Sequence, residues 1–302
     1  MKTKITKVSI VVITRNRYQS LMHNLGSLLS QSLIPEETVV VDNNSQDQTQ
    51  RVVKAVAKNS SSQIRYTQIK KTGYPVAYNQ GLLAANYQWV AFIDDDCVAS
   101  HNWYQNIVSC IQKHPQADVF LGHASTFESW HPLALAENFI KSLGVEKGVE
   151  ANQVLDFSIL DSKNIVYSQD FLQKNQLKFD ESLLEKGEGS SEDCDLGMQI
   201  QQAGGQAIYC PEIEVWHKDV ICYASYYKKL VSRTKDHLIF ENKWNQFRSE
   251  LKVKNISLVK KTMLLVNFIE DQDLNLIQSS LLVLNVVLSF LIIKFIRIFY
   301  EK

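Results

Sequence analysis

Between Val8 and Asp94 the chain alternates two hydrophobic periods, and that alternation restricts the fold more than any other feature. VSIVVIT (Val8–Thr14) is an unbroken, mostly β-branched run, as a strand buried on both faces requires. In the following TRNRYQSLMHNLGSLLSQ, Leu21, Leu25, Leu28 and Leu29 recur at helical spacing. The pattern then repeats: a strand over Thr38–Val41, a polar loop, and a helix through TQRVVKAVAKN. A short strand at IRYTQI, a helix entered after Pro75 and a strand in WVAFIDDD complete it. Strands separated by helices predict a parallel α/β sheet. Ligands of such open sheets sit beyond the carboxyl ends of the strands. Asp42 and the triplet Asp94–Asp96 fall at such ends, on one predicted edge.

The rest of the chain is bounded more loosely. At 302 residues it exceeds one core of ~100–200 residues, and 45% apolar content is enough to fill a core of that size. Lys+Arg and Asp+Glu both number 32, a balance that gives nucleic acid no electrostatic footing. The cysteines, Cys97, Cys110, Cys194, Cys210 and Cys222, are odd in number and form no CxxC pair. Reduced thiols in a cytoplasmic protein are therefore expected. The amino terminus MKTKITKVSIVVIT starts basic, but its apolar run is short for a signal peptide and no small-residue cleavage site follows. From Asn164 to Asp219 the pattern is less regular and suggests two short helices and a strand pair, one helix being closed by Gly204–Gly205.

Three adjacent carboxylates repel one another, so the triplet needs compensation. A hard cation such as Mg²⁺ or Mn²⁺ takes oxygen ligands and commonly binds through one or two carboxylates plus substrate phosphates. A solvated turn or helix cap built from aspartates is the plainer alternative.

Taken in order, the motifs resemble glycosyltransferase family 2, whose members have the GT-A fold. VSIVVITRNR is similar to the family's opening strand and loop, and VVVDNNSQDQT to its Asp-rich loop. GYPVAYNQGLLAA looks like the Gly…Ala-Arg-Asn…Gly segment, and AFIDDDC like the DxD motif. KFDESLLEKGEGSSEDCDLGMQIQQAGG…CPEIEVWH resembles the FDE, ED-x-D-L, Ala-Gly and terminal His signals. The likeness runs from about Val8 to His217; it departs at Tyr78, where the family usually has arginine.

The resemblance implies a Rossmann-like, mostly parallel sheet flanked by helices, with a catalytic domain over residues 1–240 and a helical extension over 241–302. It implies a nucleotide-diphosphate sugar donor, a glycan or lipid-linked acceptor, and transfer with inversion. Thr14, Arg15, Asp42, Asn79, Asp94 and Asp95 would contact the donor, with Asp42 on the base and Asp94 near the ribose. Asp96, with His217, would hold Mn²⁺ or Mg²⁺; His217 on the diphosphate, or simply packed, is the alternative. Asp193 would be the base that takes the acceptor proton, and Asp195 a helix cap. Trp216 fits a core position or an acceptor platform. The loop Gly187–Ser191 would close over the donor. A nucleotidyltransferase should carry a Gly-rich phosphate loop, which VVITRNRYQS lacks. A non-catalytic sugar-nucleotide-binding or scaffold protein is the remaining alternative, against which Asp42, Asp96 and Asp193 all stand in place.

The carboxyl-terminal part changes character. Leu274–Ile293 runs 20 residues without a charge, long enough to cross a membrane. An acidic EDQD precedes it and the basic KFIRIFYEK follows. One crossing from the cytoplasm would carry that basic flank outward, against the positive-inside tendency. An in-plane helix with Gln278, Asn285 and Ser289 toward water, or a hairpin with Ile256–Ile269, avoids the conflict. The expected location is the cytoplasm, at the inner face of the membrane.

Overall fold

The computed structural model describes residues 6–60, 62–185, 191–251 and 256–300. The first half follows the predicted alternation: β1 (Val8–Thr14), α1 (Tyr18–Leu29), β2 (Glu37–Asp42), α2 (Thr49–Lys58), β3 (Gln63–Gln68), α3 (Tyr74–Ala84) and β4 (Trp89–Asp94). β1 lies parallel between β2 and β4, and every residue of β1 and β2 is buried. Thr14 pairs in register with Asp42, and Ile13 with Asp94. The polar strand ends therefore share one edge, as the sequence predicts.

α3 lies directly on β1 because position 81 has no side chain. A Cβ on Gly81 would stand 2.5 Å from Val11 Cγ1 and 3.2 Å from Phe92 Cε1. We expect Gly81→Ala to cost ~1–3 kcal/mol through overpacking, seen as a lowered midpoint in chemical denaturation. An unchanged midpoint would mean that α3 can lift without penalty.

The second half is β5 (Cys97–Ala99), α4 (Trp103–Lys113), β6 (Val119–Thr126), α5 (Pro132–Gly148), the two-residue strands β7 (Val149–Glu150) and β8 (Gln153–Val154), β9 (Asn164–Ser168), α6 (Gln169–Lys174), α7 (Glu192–Gln202) and β10 (Ala207–His217). The sheet order is β3-β2-β1-β4-β9-β6-β10-β8-β7, with β5 against β10. The parallel expectation holds for β3 to β4 and again for β6 with β10; between them β9 inserts antiparallel to both β4 and β6. The strand pair expected over Asn164–Asp219 is likewise corrected. β6 separates β9 from β10, so each strand finds its partners elsewhere. Cys110 and Cys210 meet beside Glu212 under this part of the sheet, with both thiols free.

Three helices close the chain: α8 (Tyr223–Glu250), α9 (Leu258–Glu270) and α10 (Leu276–Tyr300). α8 is tied to α7 by Asp195, which accepts from Trp244 Nε1 at 2.7 Å and pairs with Lys243 Nζ at 2.7 Å. Asp195 is thus an inter-helix tie rather than the cap it was expected to be. One alternative read from the sequence turned Gln278, Asn285 and Ser289 toward water, and the structure departs from it. Asn285 and Ser289 are buried, accepting from Tyr227 Oη at 2.9 Å and meeting Tyr226 Oη at 3.1 Å on α8. Gln278 donates to the Trp130 carbonyl. The polar stripe faces the protein because its groups find partners there, while Leu284, Leu291 and Phe295 on the other side stay exposed.

Candidate active site

A cavity of about 650 Å³ opens beyond the carboxyl ends of β1 and β4 and is roofed by α8. Thr14, Arg15, Asp94, Asp95, Asp96, Asp193 and His217 all line it. Asp42 and Asn79 do not. Asp42 is buried, accepting from the Ser45 amide at 2.7 Å and Tyr66 Oη at 2.5 Å. It thereby shapes the loop that carries the lining residue Asn43. Each Asp42 oxygen takes one protein donor and keeps acceptor capacity. The Asn79 amide clasps the Phe179 backbone, accepting from its N–H at 3.0 Å and donating to its carbonyl at 2.9 Å. Tyr78, the departure from the family pattern, is buried and stacks on Phe179 with ring centroids 4.7 Å apart. Of the predicted loop Gly187–Ser191, residues 187–190 lie outside the described residues.

The triplet is compensated by a residue the sequence reading passed over. Arg17 Nη1 lies 3.1 Å from Asp95 Oδ1 and 2.8 Å from Asp96 Oδ2. Burial acts to lower the Arg17 pKa, but Asp95 and Asp96 more than offset it and the guanidinium stays charged. Thr14 Oγ1 adds a hydrogen bond to Asp95 at 2.7 Å. This is not enough for three charges. Burial, then Asp96 and Asp161, push Asp94 up to about 8. Burial pushes Asp95 up to about 6 in spite of Arg17 and Thr14. Arg17 was visible in TRNR as a second arginine beside the strand end, but nothing in its spacing aimed it at the triplet.

Pairing of β5 with β10 sets His217 opposite Cys97, so a histidine 121 positions later in the chain lands next to Asp96 (217 − 96). His217 Nδ1 contacts Asp219 Oδ1 at 2.8 Å, and Nε2 points at Asp96 Oδ1 from 3.6 Å. Nδ1–H donated to a carboxylate leaves the Nε2 lone pair free, the arrangement a metal-bound histidine adopts. Asp96 Oδ1 is buried without a hydrogen-bond partner. An orphaned carboxylate oxygen facing an imidazole lone pair is unfavourable by itself and fits a divalent cation. Trp216, before it, is 39% exposed and tilts against Phe127, which rules out the core position.

Also lining the cavity, Asp193 in the first turn of α7 accepts from the Cys194 amide at 2.8 Å and the Ser162 amide at 3.3 Å. Burial and the Asp161 charge push its carboxyl up to about 6. Glu192 is buried with Oε2 unpartnered, and burial pushes its pKa well above the usual carboxylate range. Asp161 and Lys163 form an ion pair at the cavity floor. The lining contributed by α5 and α8 carries Lys141, Lys228, Lys229 and Arg233 against one acid, Asp236. The sequence carried no signal for this wall, since helix α8 is polar on several sides and its cations share no motif.

The chain can now be set beside known proteins. Over 290 residues it is 23% identical to a glucosyl-dolichyl phosphate glucuronosyltransferase of Haloferax volcanii, with 90% of each chain covered. Its fold resembles the mannosyltransferase PcManGT from Pyrobaculum calidifontis in complex with GDP-Man and Mn²⁺, at 14% identity and a TM-score of 0.60, covering 95% of this chain and 81% of that one. S. aureus TarS 1-349 in complex with UDP-GlcNAc is similar at 17% identity and a TM-score of 0.54, covering 95% and 82%. These likenesses establish the mixed GT-A sheet with flanking helices. Residues 9–175, more than half of the chain, match glycosyl transferase family 2, and the chain belongs to that family.

Proposed function

We propose that the protein transfers a sugar from a nucleotide-diphosphate donor to a hydroxyl of a glycan or lipid-linked acceptor, with inversion and with a divalent cation. The observation that carries this is one cavity lined both by Asp96 and His217, which face each other at 3.6 Å, and by Asp193. The nucleotide would lie against Thr14, Arg15 and Asn43, with Asp42 behind the base and Asp94 near the ribose. Asp96 and His217 would hold Mn²⁺ or Mg²⁺, which when bound supplies positive charge for the departing diphosphate. Arg17 already presents a guanidinium on the same side. The acceptor oxygen forms its bond to the anomeric carbon as the bond to the diphosphate oxygen breaks. The acceptor proton passes to the Asp193 carboxylate, and the nucleoside diphosphate leaves. A base with a pKa near 6 is suited to that task because it is ionised at neutral pH and still basic enough to take a proton.

The test is a screen of UDP-, GDP- and dTDP-sugars with Mn²⁺, reading nucleotide release with and without acceptor. Release from one donor, suppressed by EDTA, is expected. No release from any donor would favour a binding or scaffold protein of the same fold.

In this reading residues 1–240 perform the chemistry and 241–302 serve attachment to the inner face of the cell membrane. α10 is the one described helix long and apolar enough to cross a bilayer. We propose that it lies in the interface instead. Leu282, Asn285, Val286, Ser289 and Ile296 are buried along most of its length, and Arg297 pairs with Glu241 of α8 at 2.9 Å. Crossing would draw α8, with Lys235 and Glu241, into hydrocarbon, where each charge costs ~2.5–3.5 kcal/mol or more. Leu258, Val259 and Met263 of α9 extend the apolar surface. Replacing the exposed Leu284, Leu291 and Phe295 together by serine is expected to move the protein from the membrane to the soluble fraction with its thermal midpoint kept. Full-length protein that is soluble without detergent or high salt would overturn the attachment.

A further inference from the structure

The cations of the α5–α8 wall are more numerous than the donor explains. Glu137, buried on α5, pairs with Lys141 at 2.9 Å and with Arg233 at 2.8 Å, and Lys229 lies close enough to feel its charge. Three cations thus gather on Glu137, and Asp161, Asp193 and Asp96 also lie near enough to act on them. Both Lys141 and Arg233 remain 39% exposed, and both line the cavity. Burial and the neighbouring Arg233 hold Lys229 below the usual lysine range. These residues line the same cavity as Arg17, Asp96 and His217, and Lys229 lies close enough to Asp96 to feel its charge; Arg17 already pairs with the acidic triplet.

The same two helices carry the apolar exterior. α10 packs on Leu135 and Phe139 of α5 and on Tyr226 of α8. α8 begins with Tyr223, 45% exposed, and then presents Ser225, Lys228 and Lys229 to the cavity. Trp130, 58% exposed just before α5, is linked to Tyr223 through the His131 ring between them, and its carbonyl accepts from Gln278 of α10. Exposed Tyr and Trp beside an apolar helix are what a membrane–water interface favours. A ligand with a phosphate for the cations and a hydrocarbon chain for the α10 side matches both features at once.

Resting on the transferase reading above, we infer that Lys141, Lys229 and Arg233, gathered on Glu137, form the acceptor phosphate site, and that the acceptor sugar is carried on a membrane-lipid phosphate.

The test uses full-length protein and phosphatidylcholine vesicles. One set carries a long-chain polyprenyl phosphate and the other phosphatidylglycerol at equal charge. The wild type is expected to bind the polyprenyl phosphate vesicles more tightly. K141Q/R233Q should lower that binding ~10–100-fold, as expected for lost charge-assisted hydrogen bonds. Adsorption to plain phosphatidylcholine, and the affinity for UDP or GDP with Mn²⁺, should be unchanged. If the double variant fails to fold, the single pair decides: R233Q should lose the preference and R233K keep it. Equal binding of the two vesicle sets by wild type overturns the inference. So does a variant that keeps the preference but loses nucleotide affinity, because the wall then belongs to the donor. Competition by inorganic phosphate as strong as that by the lipid would reduce the site to one for free phosphate and overturn the lipid source. Failure of every donor to turn over would instead refute the transferase reading, while the vesicle comparison would still report on the site.

Discussion

Asp193→Asn is expected to lower kcat by ~10²–10⁴-fold while donor affinity stays within a few-fold of wild type, the range a positioned general base supplies. Asn keeps the shape and its one oxygen can still accept from the Cys194 amide, so α7 keeps its first turn; the longer bond from the Ser162 amide, which meets the other Asp193 oxygen, is lost. It cannot take a proton. The loss therefore falls on the transition state and not on the bound donor. A collapse of donor affinity with kcat per bound donor preserved would make Asp193 structural. The pH dependence follows from the same carboxyl. Activity of the wild type should fall as pH drops through about 6, where Asp193 gains its proton. Stability should move the opposite way. The folded pKa of about 6 exceeds the ordinary 3.8, so the native state binds the proton more tightly than the unfolded chain. Wild type thus loses stability as pH rises between those values, by ~1–3 kcal/mol. The asparagine variant should gain on wild type across that window and hold the gain above it. Denaturation curves at pH 4 and pH 8 measure the difference; equal gaps at both would show that burial of the charge is not what raises the carboxyl.

Asp96→Asn should cost roughly two orders of magnitude or more in transfer, the several kcal/mol that a cation's charge contributes to a departing diphosphate. The amide leaves Arg17 with Asp95 alone and replaces the buried Oδ1 that faces His217 Nε2. EDTA should reduce the wild type to a similar level, and Mn²⁺ should restore it but not the variant. Full turnover in excess EDTA would sink the metal requirement and leave Arg17 as the charge that meets the diphosphate.

Much of this molecule was readable before folding. β1, β2 and β4 are apolar runs with no polar face, and only a sheet covered on both sides accommodates them. Their carboxyl ends then had to carry Thr14, Asp42 and Asp94 to one edge, because parallel strands in register end together. The motif order identified the family and pointed to Asp96, Asp193 and His217, all of which meet in the cavity. What sequence did not contain was partnership across distance. Arg17 turns onto Asp95 and Asp96, Asp219 fixes His217, and Glu137 gathers Lys141 and Arg233, all contacts set by tertiary packing rather than by local spacing. The same limit explains the two polar misassignments. Asp195 looks like a cap, and Asn285 and Ser289 look like a wet face, until Trp244, Tyr227 and Tyr226 arrive from α8 to satisfy them. Periodicity tells which residues share a face; only the tertiary structure decides whether that face meets water or a partner, because a polar group is as well satisfied by a buried hydrogen bond as by solvent.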